Sequence, residues 1–167
     1  MKVKVLSLLG LGMVFNLPLA AQEPVVGVDD PESLFMSGGG SREERRNKEA
    51  ALHIMRELLQ CNQWDRADEW LTERYIQHNP NAESGREGVV YYFTEVMGRE
   101  PTATCDELTT EVVAVMAQDD LVTVIMPREY PDPRNPGETY FTTWFDTWRF
   151  VDGKADEHWD PATIAAP

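Results

Sequence analysis

The sequence predicts an α+β domain in which helices come first and an antiparallel sheet follows. Three observations carry this. Between residues 41 and 97 the apolar side chains recur at three- and four-residue spacing, the period of a helix face. From residue 107 onward the chain turns to Val, Thr and aromatic residues in alternation, the period of a strand. Turn signals, Gln118-Asp119-Asp120 and Asp152-Gly153, then separate consecutive strands. Helical segments followed by a run of strands pack as helices on one face of a curved sheet.

The chain has 167 residues, enough for one domain. Residues 1–21 read as a secretory signal: Lys2 and Lys4, an apolar run, then Leu19-Ala20-Ala21, with Gln22 as the mature start. The apolar run is short for a membrane anchor, which needs about 20 residues. The expected location is therefore periplasmic or secreted, with no membrane association after cleavage. Loss of Lys2 and Lys4 takes the formal charge from −14 to −16. So acidic a surface repels phosphate backbones, which argues against nucleic acid as a partner. Residues 22–42, rich in Pro, Gly, Asp and Ser, read as a flexible leader, and the domain proper spans 43–163.

Ser41 and Glu44 have capping-box spacing and open a first helix running to about residue 60 on Leu52, Met55 and Leu59. Asn62 or Asp65 can cap a short second helix through Trp64, Ala67 and Trp70. Pro80 disfavours helix at Asn79, so 75–80 is extended or turning. A third helix carries Val89, Val90, Phe93 and Met97 and ends at Gly98. Strands are expected at 107–116 and 121–126. The four prolines of 127–137 predict a loop. Cys61 and Cys105 could pair in an oxidising compartment, but nothing in the sequence shows that they meet.

The long strand after that loop carries the densest chemistry. Tyr140, Thr142, Trp144, Asp146, Trp148 and Phe150 share one parity and therefore one face. Asp146 thus stands between two indoles. An apolar aromatic surround disfavours the charged form of a carboxyl, which suits Asp146 to exchange protons near neutral pH. The Asp152-Gly153 turn returns the chain as a strand holding Glu157, His158, Trp159 and Asp160 beside it. Structural alternatives stand beside this reading. Asp146 could pair with Arg149 or a histidine, the tryptophans could be plain core, His78 could hold its turn, and Arg86 could pair with Glu83 or Glu87.

Four motifs follow one another in a recognisable order: Tyr75-Ile76-Gln77-His78-Asn79-Pro80, Gly85-Arg86-Glu87-Gly88, Phe145-Asp146 with Arg149, and Asp152-Gly153-Lys154 with Glu157-His158-Trp159-Asp160. Together they resemble the SnoaL-like proteins, polyketide cyclases and aldol-condensation enzymes of the nuclear transport factor 2-like fold, over roughly residues 47–160. The resemblance implies a cone-shaped α+β barrel around a mostly apolar pocket. It also implies an aspartate that shuttles a proton without metal or organic cofactor, and the matching position is Asp146. The family's histidine positions match His78 and His158, so the expected catalytic set is Asp146, His78 and His158. Tyr140, Trp144, Trp148 and Arg86 are the expected substrate-binding residues. Ala155 and Asp156 depart from the bulky pair usual after Gly-Lys, and 127–137 is long enough to act as a lip. A metal held by His78, His158, Asp146 and Asp160 is conceivable, but nothing in their spacing asks for one, and the expectation is none. The ligand is expected to be a small hydrophobic carbonyl compound. The alternative is a binding module that only holds such a ligand. A homodimer through the outer sheet face fits the same fold.

Overall fold

The computed structural model describes residues 23–164. The expected signal segment lies outside the described residues. Among these, no helix is long and apolar enough to cross a membrane.

The leader is tied to the fold rather than loose. Helix α1 (Pro31–Met36) is capped by Asp30, whose side chain accepts from Ser33 N, and has its proline in the first turn, where no amide hydrogen is needed. Phe35 is buried in the core. Glu32 accepts from Arg56 at 3.0 Å and from the amide of Leu108 at 2.7 Å. The Pro- and Gly-rich composition suggested flexibility, but one buried aromatic and one ion pair hold the segment down. The glycine link before α2 is held as well, with Ser37 O accepting from Lys48 Nζ and Gly40 O from the Arg45 guanidinium.

Helix α2 (Arg42–His53) starts at the expected capping box: Glu44 N donates to Ser41 Oγ at 3.0 Å, and Ser41 N to Glu44 Oε2 at 2.6 Å. It continues as a widened π-helical stretch, Ile54–Gln60, closed by Cys61 N donating to Arg56 O at 2.9 Å. Helix α3 (Ala67–Trp70) is short and leads straight into strand β1 (Leu71–Gln77). Helix α4 (Arg86–Tyr91) also widens into a π-helical turn, Tyr92–Val96. Such bulges re-aim side chains at functional sites. Here both supply apolar residues to one cavity: Met55 and Leu58 from the first, Phe93 from the second.

The five strands are ordered β1-β5-β4-β3-β2. They are β2 (Ala114–Gln118), β3 (Leu121–Pro131), β4 (Thr139–Val151) and β5 (Lys154–Trp159), antiparallel except for the parallel β1–β5 pair. The fold class is as the sequence predicts: helices packed within a curved, largely antiparallel sheet. The core includes Leu58, Val122, Val124, Trp148 and Ala155, all at or near zero exposure.

Two strand limits differ from expectation. The strand expected at 107–116 begins only at Ala114, because the Gln60 side chain intercepts the backbone before it. Its Oε1 accepts from the amides of Thr109 and Thr110, and its Nε2 donates to Glu107 O. The expected loop at 127–137 is half strand, since β3 runs on to Pro131 opposite Thr139. Ile125 turns its carbonyl to Val113, on the β2 side. Alternation turns the ring nitrogens of Pro127 and Pro131 to that same side, where β2 no longer reaches, so no ladder bond is lost. Asp132 builds the turn that follows, accepting from Arg134 N at 2.8 Å and from its guanidinium.

Cys61 and Cys105 form a disulfide across 44 residues, the question the sequence left open.

Candidate functional site

The alternation along β4 places Asp146, Trp148 and Phe150 inward and buried, with Tyr140 and Trp144 on the same face, as the parity requires. Between this face and the helices lies a cavity of about 930 Å³. Tyr140, Trp144, Asp146, Trp148 and His158 all line it.

Asp146 has its side chain 9% exposed. Its Oδ1 accepts from Trp144 Nε1 at 3.0 Å and faces His158 Nε2 at 3.1 Å. Burial makes an isolated charge costly, and two donors on one oxygen offset that cost. Its Oδ2 has no hydrogen-bonding partner among the described residues. The structural alternative of a pair with Arg149 does not hold. Arg149 points to the outer face and binds Asp120 and Glu157 at 2.7 and 3.1 Å.

His158 reaches Asp146 because β5 pairs with β4 in the register Trp148↔His158. Its other nitrogen, Nδ1, lies 2.8 Å from Gln77 Oε1. The same Gln77 oxygen accepts from the backbone amide of Asn79 at 3.0 Å. A backbone N–H can only donate, so the atom facing it is the oxygen and not the nitrogen of the Gln77 amide. Nδ1 must then donate to it, which fixes the hydrogen on Nδ1. The Nε2···Oδ1 contact therefore holds one proton, on either the imidazole or the carboxyl. The pair is an imidazolium beside a carboxylate, or an imidazole beside a carboxylic acid.

Further polar groups brace this pair. Asp160 Oδ2 lies 4.0 Å from His158 Nδ1 and accepts from Asn79 Nδ2 at 2.8 Å, while its Oδ1 accepts from Ala162 N. Trp148 Nε1 donates to the buried Tyr75 hydroxyl at 3.2 Å, and burial pushes that phenol well above its usual range. Tyr75 also stacks near the His158 ring, with centroids 6.3 Å apart.

Two expected site residues lie elsewhere. His78 is on the outer face, where Nε2 contacts Glu157 Oε1 at 2.8 Å and the ring stacks on Trp159 at 5.2 Å. Strand parity explains it. Leu71 and Tyr75 of β1 are buried and line the cavity, and alternation from them sets Gln77 inward, beside His158, and His78 outward. Arg86 donates to Leu71 O at 3.4 Å and does not line the cavity. The helix it opens faces it away. Gln77 stood in the quoted motif beside His78, but its role went unread. Only the strand pairing shows it. Ala155 and Asp156 do not open the pocket edge. Ala155 is core, and Asp156 is buried against Thr72 and Arg74.

Asp146, His158 and Asp160 each offer a ligand atom within 4.8 Å of the others, the one such trio among the described residues. Both His158 nitrogens and both Asp160 oxygens already have partners, which an ion would have to displace.

A family description, the SnoaL-like domain, matches residues 52–158. The chain belongs to the SnoaL-like family. Solved structures of similar fold include a candidate SnoaL-like polyketide cyclase from Jannaschia sp. CCS1, 21% identical with TM-score 0.51, covering 75% of this chain and 92% of that one. A candidate polyketide cyclase from Bacillus cereus ATCC 10987 is 15% identical with TM-score 0.51, covering 73% and 77%. Another from Acidithiobacillus ferrooxidans is 16% identical with TM-score 0.50, covering 69% and 86%. At these identities the likeness speaks for the fold. No curated protein matches the chain.

Proposed function

We propose that this is an exported enzyme of cofactor-independent acid/base chemistry on a small carbonyl compound, of the aldol-cyclisation, isomerisation or dehydration type. Asp146 Oδ2 is the base that takes a proton from carbon next to the carbonyl, and the proton held with His158 is the one returned. The observation that carries the reading is the free Oδ2 of a buried aspartate, facing a cavity, with its other oxygen held by His158 and Trp144. Trp144, Trp148 and Tyr140 give the substrate an apolar wall. Membership of the SnoaL-like family supports the class of reaction, not the substrate. Export rests on the signal-like sequence of residues 1–21. Pairing of two copies is favoured by Met116, Phe145 and Val151, exposed on the outer sheet face, and mass in solution tests it.

The test is exchange of α-protons for deuterium in a panel of acetyl and keto compounds, followed by NMR. Wild type should accelerate exchange, and Asp146→Asn should abolish it while circular dichroism stays native. Equal exchange by the two proteins would remove Asp146 from the chemistry. Tight binding with no exchange by wild type would favour the binding module.

A further inference from the structure

We propose that the ligand carries a carboxylate, seated on Arg128 at the open end of the cavity, with an aromatic body against Trp144. The reacting carbon then lies beside Asp146. The inference deepens the acid/base reading and rests on it only for which end of the ligand reacts.

The argument begins with charge. The chain has 29 acidic residues against 15 lysines and arginines, so carboxylate partners for a cation are plentiful. Arg56, Arg66, Arg74, Arg134 and Arg149 each form an ion pair with a carboxylate. Arg128 forms none among the described residues, although it is half-buried and lines the cavity. Of its five N–H donors, one meets Pro127 O at 3.1 Å and another only the Met126 sulfur at 3.9 Å. The rest of the fork is unused.

Placement comes from register. Val122, Val124 and Met126 of β3 are buried inward, and Arg128 and Tyr130 continue the same parity. Arg128 lies opposite Thr142 and Tyr130 opposite Tyr140. The hydroxyls of Tyr130, Tyr140 and Thr142 line the cavity and have no protein partner among the described residues. Arg128 and these hydroxyls supply hydrogen-bond donors to one wall of the cavity. Arg99 also lines the cavity but is exposed, whereas Arg128 is half-buried, and a carboxylate fits its fork in bidentate geometry.

The spacing limits the ligand further. The Arg128 guanidinium lies over the Trp144 ring, 5.9 Å from its centroid. Arg128 lies opposite Thr142 and Asp146 opposite Val124, four residues apart along the ladder, a backbone rise of about 13 Å that the two side chains shorten. An anion on Arg128 and a carbon at Asp146 are therefore separated by about the length of one aromatic ring with its substituents. The ring itself would stack on or beside Trp144.

4-Acetylbenzoate has these dimensions, and its methyl ester and its amide keep the ring and the acetyl group but lose the charge. Binding of the three is measured by calorimetry at low ionic strength. The acid should bind wild type about tenfold or more tighter than the ester, the low end for a hydrogen bond to a charged group. Arg128→Gln should erase the preference, Arg128→Lys should keep part of it, and Asp146→Asn should keep all of it. Equal affinity of acid and ester, a preference that survives in Arg128→Gln, or no binding of the acid at millimolar concentration would overturn the inference. Turnover is a separate readout. Acid preference without α-proton exchange would sink the acid/base reading and leave the carboxylate site standing.

Discussion

Gln77 Oε1 is shared between the amide of Asn79, at 3.0 Å, and Nδ1 of His158, at 2.8 Å, and this one oxygen decides where the imidazole keeps its hydrogen. Gln77 touches no substrate in this account. It is a positioning residue, and its loss should free the ring to turn or change tautomer. Gln77→Leu should lower turnover by about ten- to a hundredfold, below the full worth of an acid/base group. Nitrogen NMR of labelled imidazole gives the independent check. Wild type should show Nδ1 protonated, and the variant should show a mixture. An unprotonated Nδ1 in wild type would refute the assignment whatever the activity.

The Trp148–Tyr75 bond is fully buried and joins β4 to β1. Trp148→Phe removes the donor, leaves the phenol short of a partner and opens a small void. The expected loss is about 1–3 kcal/mol from the unsatisfied group alone. Tyr75→Phe should cost about 1 kcal/mol. The double variant should lose less than the sum, because the bond is counted once. Urea midpoints measure all three, and strict additivity would show that the contact contributes nothing.

Cys61–Cys105 closes a loop of 44 residues that holds β1, α4 and part of the cavity wall. Chain entropy for a loop of that length gives about 4 kcal/mol. Cys61→Ala with Cys105→Ala should therefore lower the denaturation midpoint strongly, and reduction of wild type should match it. A midpoint unchanged by reductant would argue that the bridge adds nothing to stability.

Acid should weaken two salt-bridged carboxyls. The Arg134 guanidinium holds Asp132 down to about 2, and the hydrogen bond with His78, with help from Arg149, keeps Glu157 below its usual range. Both folded values lie below the unfolded ones. Their contribution is thus fully present above about pH 4 and is lost as pH falls through the folded values. Asp132→Asn should be less stable than wild type near neutrality, with the gap closing between about pH 4 and pH 2. A gap that persists at pH 2 would assign the loss to the turn and not to the charge.

The sequence was most readable where structure is local. Strand alternation needs only a period of two, so the inward set of Tyr140, Trp144, Asp146 and Trp148 could be named from β4 alone. The Asp152-Gly153 turn announced the return of β5, but its register alone would set Glu157 opposite Trp148, and a bulge in β5 brings His158 there instead. The capping box at Ser41 and Glu44 was equally local.

The tertiary structure decided the rest. Gln77 and His158 are 81 positions apart, and only the parallel β1–β5 pairing brings them together. His78 shares no parity with Leu71 and Tyr75, the buried residues of β1, so once these are known to face inward it must face outward. Arg128 looked like loop because proline usually ends a strand, and it is strand because β2 stops short and leaves that edge free. A chain's local pattern sets which residues share a face. Which faces meet depends on pairings between distant segments, whose closure leaves no periodic trace in the sequence.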